Sequence, residues 1–254
     1  DGRAALVHGM GNLGKSSLAA RIAHDRLPQL ACVVVFGRYD ALEVWDRLLD
    51  ACPAGQREQY QEQWRARIDA DRPGALANAL EDLLDGPLAD EPVLLVIDDL
   101  ERILETPQPN QHSVPVQAER RGMLSAVLTA FGKQERCKLL LTSRYAFTLP
   151  GRDSGEDLAA DVVRVPLRAM DKVERDKHQR ALLRGLGEHE QGTVDQDLLQ
   201  RARRLADGNP GLQALLSQPV LAGEVRAARE AFAVIEHYLQ HGVPPDEIRR
   251  ELDT

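Results

Sequence analysis

Eight residues near the start of the chain, Gly9-Met10-Gly11-Asn12-Leu13-Gly14-Lys15-Ser16, match the spacing G-x-x-x-x-G-K-[ST] at every position. Glycines leave a backbone free to adopt dihedrals closed to other residues and to approach a bound group closely. Successive N–H groups of such a loop turn inward and form a nest for anionic oxygens. A helix that begins at the loop's end adds unpaired N–H groups and the positive end of its dipole. Lys15 contributes a mobile positive charge suited to β- and γ-phosphates, and the Ser16 hydroxyl suits Mg²⁺. The chemistry predicted is the holding of a nucleoside polyphosphate with Mg²⁺. Gly9, Gly11, Asn12, Leu13, Gly14, Lys15, Ser16 and Ser17 are its binding residues, with Lys15 also a catalytic one. The alternative is a glycine-rich turn bearing a solvated lysine. The flanks oppose it: Ala4-Ala5-Leu6-Val7 reads as a buried strand and Ser17–Leu27 as a helix.

A second constellation lies at Val93 to Asp99, an apolar run ending in two carboxylates. An acid at the carboxyl end of such a strand stands where open α/β sheets bind ligands. Asp98 is predicted to hold Mg²⁺ through a water, together with Ser16. Asp99 is the candidate for orienting an attacking water, with Glu101 in reserve; a strand ending in a solvated Asp-Asp turn is the plain alternative. Thr142-Ser143-Arg144 closes another apolar strand, so Arg144 is a candidate sensor of the terminal phosphate, or else a partner for an acid in the helical region that follows. In Gly208-Asn209-Pro210-Gly211-Leu212, Asn209 suits a helix N-cap and Pro210 the first helical turn, a structural role that accounts for both.

The elements that must position these groups alternate in type, which predicts a parallel α/β sheet. Strands are expected at Ala4–Val7, Ala31–Phe36, Pro92–Asp99, Lys138–Arg144 and, at an edge, Val162–Leu167. Helices fill Leu42–Leu84, broken at Pro53–Gly55 and Arg72–Gly74, and Val116–Gly132. Loops are expected at Thr106–Pro115 and Leu149–Leu158. From Leu167 the pattern turns helical, with breaks at Gly185–Gly192, Asp207–Gly211, Ser217–Pro219 and Gly242–Pro245. The division expected is a nucleotide-binding core over 1–167 and a helical lid over 168–254.

Composition narrows the classes. A 43% hydrophobic fraction suffices for a core, and 4% aromatics means that Leu, Val and Ala must build it. The net charge of −8 argues against bulk binding to nucleic acid or acidic membranes, and the basic run Arg201–Arg204 reads as a solvated helix face. The three cysteines, Cys32, Cys52 and Cys137, have no metal-ligand spacing; Cys32 and Cys137 open apolar strands and read as core residues. A reducing cytoplasmic compartment is expected, and no apolar run is long enough to span a bilayer. His237 and His241 share a helix face that reads as solvated, and His8 reads as a strand-end packing residue. The opening directly on a strand suggests a piece of a longer protein, and the richness in Ala, Arg and Leu suggests a bacterial one.

In order and in type, the phosphate loop with its following Ser17-Leu18-Ala19, Leu94–Asp99, Leu140–Arg144 and Gly208–Leu212 resemble the STAND class of signalling NTPases. Within that class the nearest pattern is the NB-ARC type, shared by plant resistance proteins, apoptotic protease activators and many bacterial regulators. The resemblance implies a five-stranded parallel P-loop NTPase sheet of the additional-strand type, flanked by helices, with the Thr142 strand between the other two motif strands and a helical lid after it. It implies that Pro210 packs on the adenine or ribose, that Arg144 is the sensor arginine, and that the ligands are ATP or ADP with Mg²⁺. The implied activity is slow ATP hydrolysis serving a switch in bacterial signalling or defence: a closed ADP state that opens, takes ATP and self-associates. Effector and sensor domains would lie elsewhere in the parent chain. Two parts of the pattern have no counterpart: residues before the first strand that contact the base, and a winged-helix domain with its histidine. An AAA-type motor or loader shares the core and lid but ordinarily carries Asp-Glu where this chain has Asp98-Asp99. A scaffold with a degenerate site is opposed by the intact Lys15, Ser16 and Asp98, and a GTPase by the lack of an Asn-Lys-x-Asp motif.

Overall fold

The computed structural model describes residues 3–108, 111, 113–151, 157–186 and 193–242. By their contacts the residues fall into two units, one of Asp1–Gly11 with Lys15–Leu167 and one of Asn12–Gly14 with Arg168–Thr254.

In the first unit, strands β1 (Ala4–His8), β2 (Ala31–Val35), β3 (Val93–Ile97), β5 (Lys138–Ser143) and β7 (Val163–Pro166) form one sheet in the order β2-β3-β5-β1-β7. Every pairing is parallel. The order bears out the additional-strand arrangement, with β5 inserted between β1 and β3. The central strands are the most apolar: β3 is buried at all five positions and β5 at every position after Lys138. A parallel strand covered on both faces needs such a run.

The two faces are covered unequally. Helices α2 (Ala41–Leu49), α3 (Ala54–Asp69), α4 (Ala75–Asp85), α5 (Pro87–Asp90) and α6 (Ala118–Lys133) supply the main core, where Trp45, Leu48, Leu83 and Phe131 meet Val33, Leu95 and Leu141. The opposite face has α1 (Lys15–Arg21) and its π-helical continuation Ile22–Arg26. There Leu18, Ala19 and Ile22 pack on Val7, Leu94, Val96 and Leu140. The flanks stay open on that side: Val34 is 46% exposed on β2, and Val163 is 48% exposed on β7. This corrects the reading of Cys32, which is exposed on edge strand β2, whereas Cys52 and Cys137 are buried.

A further expectation fails for a local reason. Ser113–Pro115, expected as loop, forms β4 and pairs in parallel with β6 (Ala146–Thr148). Its driving force is burial of Val114, Val116 and Phe147, each at most 1% exposed, and three residues are too few to display a period. The parts of the expected loops at 109–110, 112 and 152–156 lie outside the described residues.

The second unit holds α7 (Lys172–Arg184), α8 (Gln196–Leu205), α9 (Pro210–Leu221) and α10 (Val225–His241) among its described residues. Asp171 and Glu174 make a reciprocal capping box on α7, and Asp195 caps α8 by accepting from the backbone of Asp197 and Leu198. Leu198, Leu199, Ala202, Leu216, Val220, Ala228 and Phe232 form its core. Helix α9 runs through Pro219, where a break was expected. A proline costs a helix the bond to the carbonyl four residues back. That carbonyl belongs to Leu215, a residue 62% exposed on the outer side of the helix. The break comes instead at Gly223, with φ of 78°. The breaks expected across 187–192 and from 243 on lie outside the described residues.

Nor is Arg201–Arg204 simply a solvated face. Arg201 forks onto Glu236 with two bonds of 2.6 Å, tying α8 to α10, and Arg203 pairs with Asp176 of α7. Among the described residues no helix is long and apolar enough to cross a membrane.

Burial pushes the Cys52 thiol up to about 11 and raises those of Cys137 and Cys32, so it is exposure that sets Cys32 apart. Thiol titration of the native protein is expected to modify Cys32 first and the other two only on unfolding. Modification of all three at one rate would contradict this assignment.

Candidate functional site

The loop after β1 is built as its residue types require. Asn12 and Gly14 have φ of 61° and 88°, in the left-handed region that Asn and Gly tolerate best. The N–H of Gly9 donates to the carbonyl of Ser143 at 3.2 Å, anchoring the loop's entry on β5. Lys15 opens α1 and is only 7% exposed. Its Nζ donates to the carbonyls of Gly9 at 3.0 Å and Met10 at 2.9 Å. Burial lowers its pKa, opposed first by the negative charge of Glu101 and reinforced by the positive charge of Arg144. Ser17 is exposed, as is Ser16.

Asp98 follows β3 and is the meeting point of the site. Its Oδ1 accepts from Ser16 Oγ at 2.9 Å and from Thr142 Oγ1 at 2.5 Å. Its N–H donates to Val35 at 3.0 Å, and its carbonyl accepts from the Tyr39 hydroxyl at 2.7 Å. Thr142 is fully buried and turns its second capacity to the next residue, accepting from the Asp99 N–H at 3.0 Å. Asp99 itself sits at φ 56°, and its carboxylate is 3.9 Å from Arg102. An Asp carboxylate beside a serine hydroxyl at a sheet's carboxyl edge is a hard-oxygen set of the kind that suits Mg²⁺.

Arg144, after β5, has its partner inside its own unit. Its Nε lies 3.1 Å from Glu101 Oε1, and its backbone N–H donates to Glu101 Oε2 at 3.1 Å. This corrects the expectation of an acid in the helical region. The same guanidinium borders the phosphate loop: a Cβ added to Gly11 would stand 3.6 Å from Arg144 Cζ. Lys15, Ser16, Asp98, Asp99 and Arg144 are thus gathered at the carboxyl edges of β1, β3 and β5.

Pro210 belongs to the second unit, as the first residue of α9, and its carbonyl lies 3.1 Å from His178 Nε2. Asn209 caps the helix by accepting from Leu212 N at 3.0 Å, as its residue type predicted. Inside the same unit, which counts Asn12–Gly14 among its residues, the Gly211 N–H donates to Asn12 O at 3.1 Å. A Cβ on Gly211 would come within 2.7 Å of Asn12 Cβ, so this position requires glycine. His237 and His241 stack at 4.3 Å, and no group of three metal-ligating side chains occurs among the described residues.

Sequence reasoning passed over three parts of this site. Thr142 was one polar residue in a triplet, and the pairing of Glu101 with Arg144 joins turns 43 residues apart. Tyr39 carried no signal beyond being an aromatic residue shortly after β2.

No family model matches the chain, and no curated protein matches it in sequence. Its backbone is similar to that of a solved structure, the Walker-type ATPase PABY2304 of Pyrococcus abyssi. The TM-score is 0.58 at 14% identity, covering 99% of this chain and 72% of that one. At that identity the likeness shows the fold alone: a P-loop NTPase fold, in agreement with the sheet order.

Replacing Thr142 with Val keeps the shape and deletes the hydroxyl that Asp98 and Asp99 share. The unfolding free energy in urea is expected to fall by about 1–3 kcal/mol, and Thr142→Ser to recover most of it. A serine variant as weak as the valine one would show that packing, not the hydroxyl, is responsible.

Proposed function

We propose that this protein is the ATP/ADP-binding regulatory switch module of a STAND-type signalling NTPase, with slow ATP hydrolysis and conformation as its output. The observation that carries the nucleotide part is Asp98 Oδ1 accepting from both Ser16 and Thr142, beside a buried Lys15 held by the loop's own carbonyls. The signalling part rests on the order and type of the four motifs.

The residues present fit the ligand. Two of the three N–H donors of Lys15 go to Gly9 and Met10, and the third is suited to a β- or γ-phosphate oxygen. The N–H groups of Gly11 to Ser16 are the nest for the remaining phosphate oxygens. Ser16 and Asp98 would hold Mg²⁺, and that ion, when bound, neutralises charge on the β- and γ-oxygens. Asp99, its backbone fixed by Thr142, would orient the attacking water, and Arg144 would meet the terminal phosphate. Pro210 would pack on the adenine or ribose. For a switch, nucleotide must bind two conformations with different affinity. Self-association on activation, effector and sensor domains in the parent chain and a cytoplasmic setting complete the reading.

The test is to denature the purified protein, identify the nucleotide released, and measure affinity for fluorescent ADP and ATP. Adenine nucleotide is expected, with Lys15→Ala weakening binding roughly ten- to a hundred-fold. If native protein binds no adenine nucleotide and Lys15→Ala behaves identically, the proposal fails.

A further inference from the structure

Arg144 is held in an unusual way. Glu101 engages it twice, through the side-chain Nε and the backbone N–H, each at 3.1 Å. The two partners differ in freedom. Glu101 sits on the short 3₁₀ turn Leu100–Ile103, whose ends are 0% and 2% exposed, and its own side chain is only 16% exposed. The Arg144 side chain is 58% exposed and rests against Gly11 of the phosphate loop. If the pair parts, it is therefore the guanidinium that moves. Glu101 is not stranded by that movement, because Oε2 keeps the Arg144 backbone N–H. A buried carboxylate left without a donor is what ordinarily makes such a separation costly.

We infer that Glu101 sets how strongly the site prefers a nucleoside triphosphate over a diphosphate, by competing with the terminal phosphate for the Arg144 guanidinium. The inference rests on the nucleotide-site reading above. A diphosphate leaves the Arg144–Glu101 pair closed, whereas a triphosphate must draw the guanidinium off Glu101. The ion pair thereby subtracts from triphosphate affinity alone. A pair whose guanidinium is exposed shifts an equilibrium roughly two- to five-fold, so the bias is modest and reversible, as a switch near balance requires.

Glu101 is also the leading charge that opposes the lowering of the Lys15 pKa by burial. Removing it therefore changes the general field as well as freeing Arg144, and the experiment must separate the two. Equilibrium binding of mant-ADP and of a non-hydrolysable mant-ATP analogue, each with Mg²⁺, would be measured for the native protein, Glu101→Gln, Arg144→Gln and the double variant. Glu101→Gln is expected to raise the triphosphate-to-diphosphate affinity ratio roughly two- to five-fold. Arg144→Gln is expected to lower it, and Glu101→Gln to have no further effect on the ratio in that background. Glu101→Asp, whose carboxylate falls one methylene short of the guanidinium, should move the ratio in the same direction and serves if the Gln variant does not fold. A ratio unmoved by either change at Glu101, or moved equally with Arg144 absent, overturns the inference while Lys15-dependent binding leaves the nucleotide site standing. Absence of binding by the native protein, matched by Lys15→Ala, overturns both.

Discussion

Asp98 is the joint on which the first unit depends. Through four hydrogen bonds it ties the start of α1, the end of β2, the buried end of β5 and Tyr39 to one residue. Sheet order makes this feasible. Because β5 lies between β3 and β1, the Thr142 hydroxyl reaches Asp98 from the adjacent strand, while the Ser143 carbonyl anchors Gly9 on the other side. Moving β5 to an edge would deprive Asp98 of the Thr142 hydroxyl and Gly9 of its Ser143 anchor. The turn after Asp98 carries a local cost, since Asp99 adopts φ 56°. Left-handed backbone costs roughly 1–2 kcal/mol. The bond from Asp99 N–H to Thr142 offsets part of it, so one buried hydroxyl supports two consecutive acids.

The placement of Lys15 and Ser16 depends on less material than the rest of the core. They open α1, a helix of seven residues and thus well below the length at which isolated helices persist in water. It is held by Leu18, Ala19 and Ile22 on the sheet face opposite the large helical layer. Asp98 answers this from the other end by accepting from Ser16. Packing sets the helix axis, and the hydrogen bond sets its first turn against β3.

What the sequence displayed and what it hid divide along physical lines. Parallel strands buried on both faces are continuous apolar runs, so β1, β3 and β5 were legible, as was a loop whose function fixes its residue types. The helix breaks at Pro53 and Pro73 were legible because backbone chemistry there is local. Pro219 misled because it stands in the last turn of its helix, at an exposed stretch that carries Leu215, where the lost bond disturbs least. Cys32 misled because burial in a strand depends on whether a neighbouring layer covers it, and β2 is an edge. The Glu101–Arg144 pair was out of reach for the same reason: each residue read alone is a charged side chain in a turn, and only the adjacency of β3 and β5 brings them together.

The polar groups of this site already have partners within the protein. Lys15 rests on carbonyl dipoles, Ser16 on Asp98 and Arg144 on Glu101. These partners are not equivalent. A buried ammonium whose hydrogen bonds go to neutral carbonyls keeps much of its attraction for an anion, as the lowering of its pKa by burial indicates. Arg144 is exposed and already faces a carboxylate, so it gains far less by exchanging that group for a phosphate. Under the proposed function, binding strength would reside at Lys15, common to both nucleotides, and discrimination at Arg144. A switch needs that division. Were discrimination to rest on Lys15, every change in preference would alter occupancy as well, and the protein would report how much nucleotide is present rather than which one is bound.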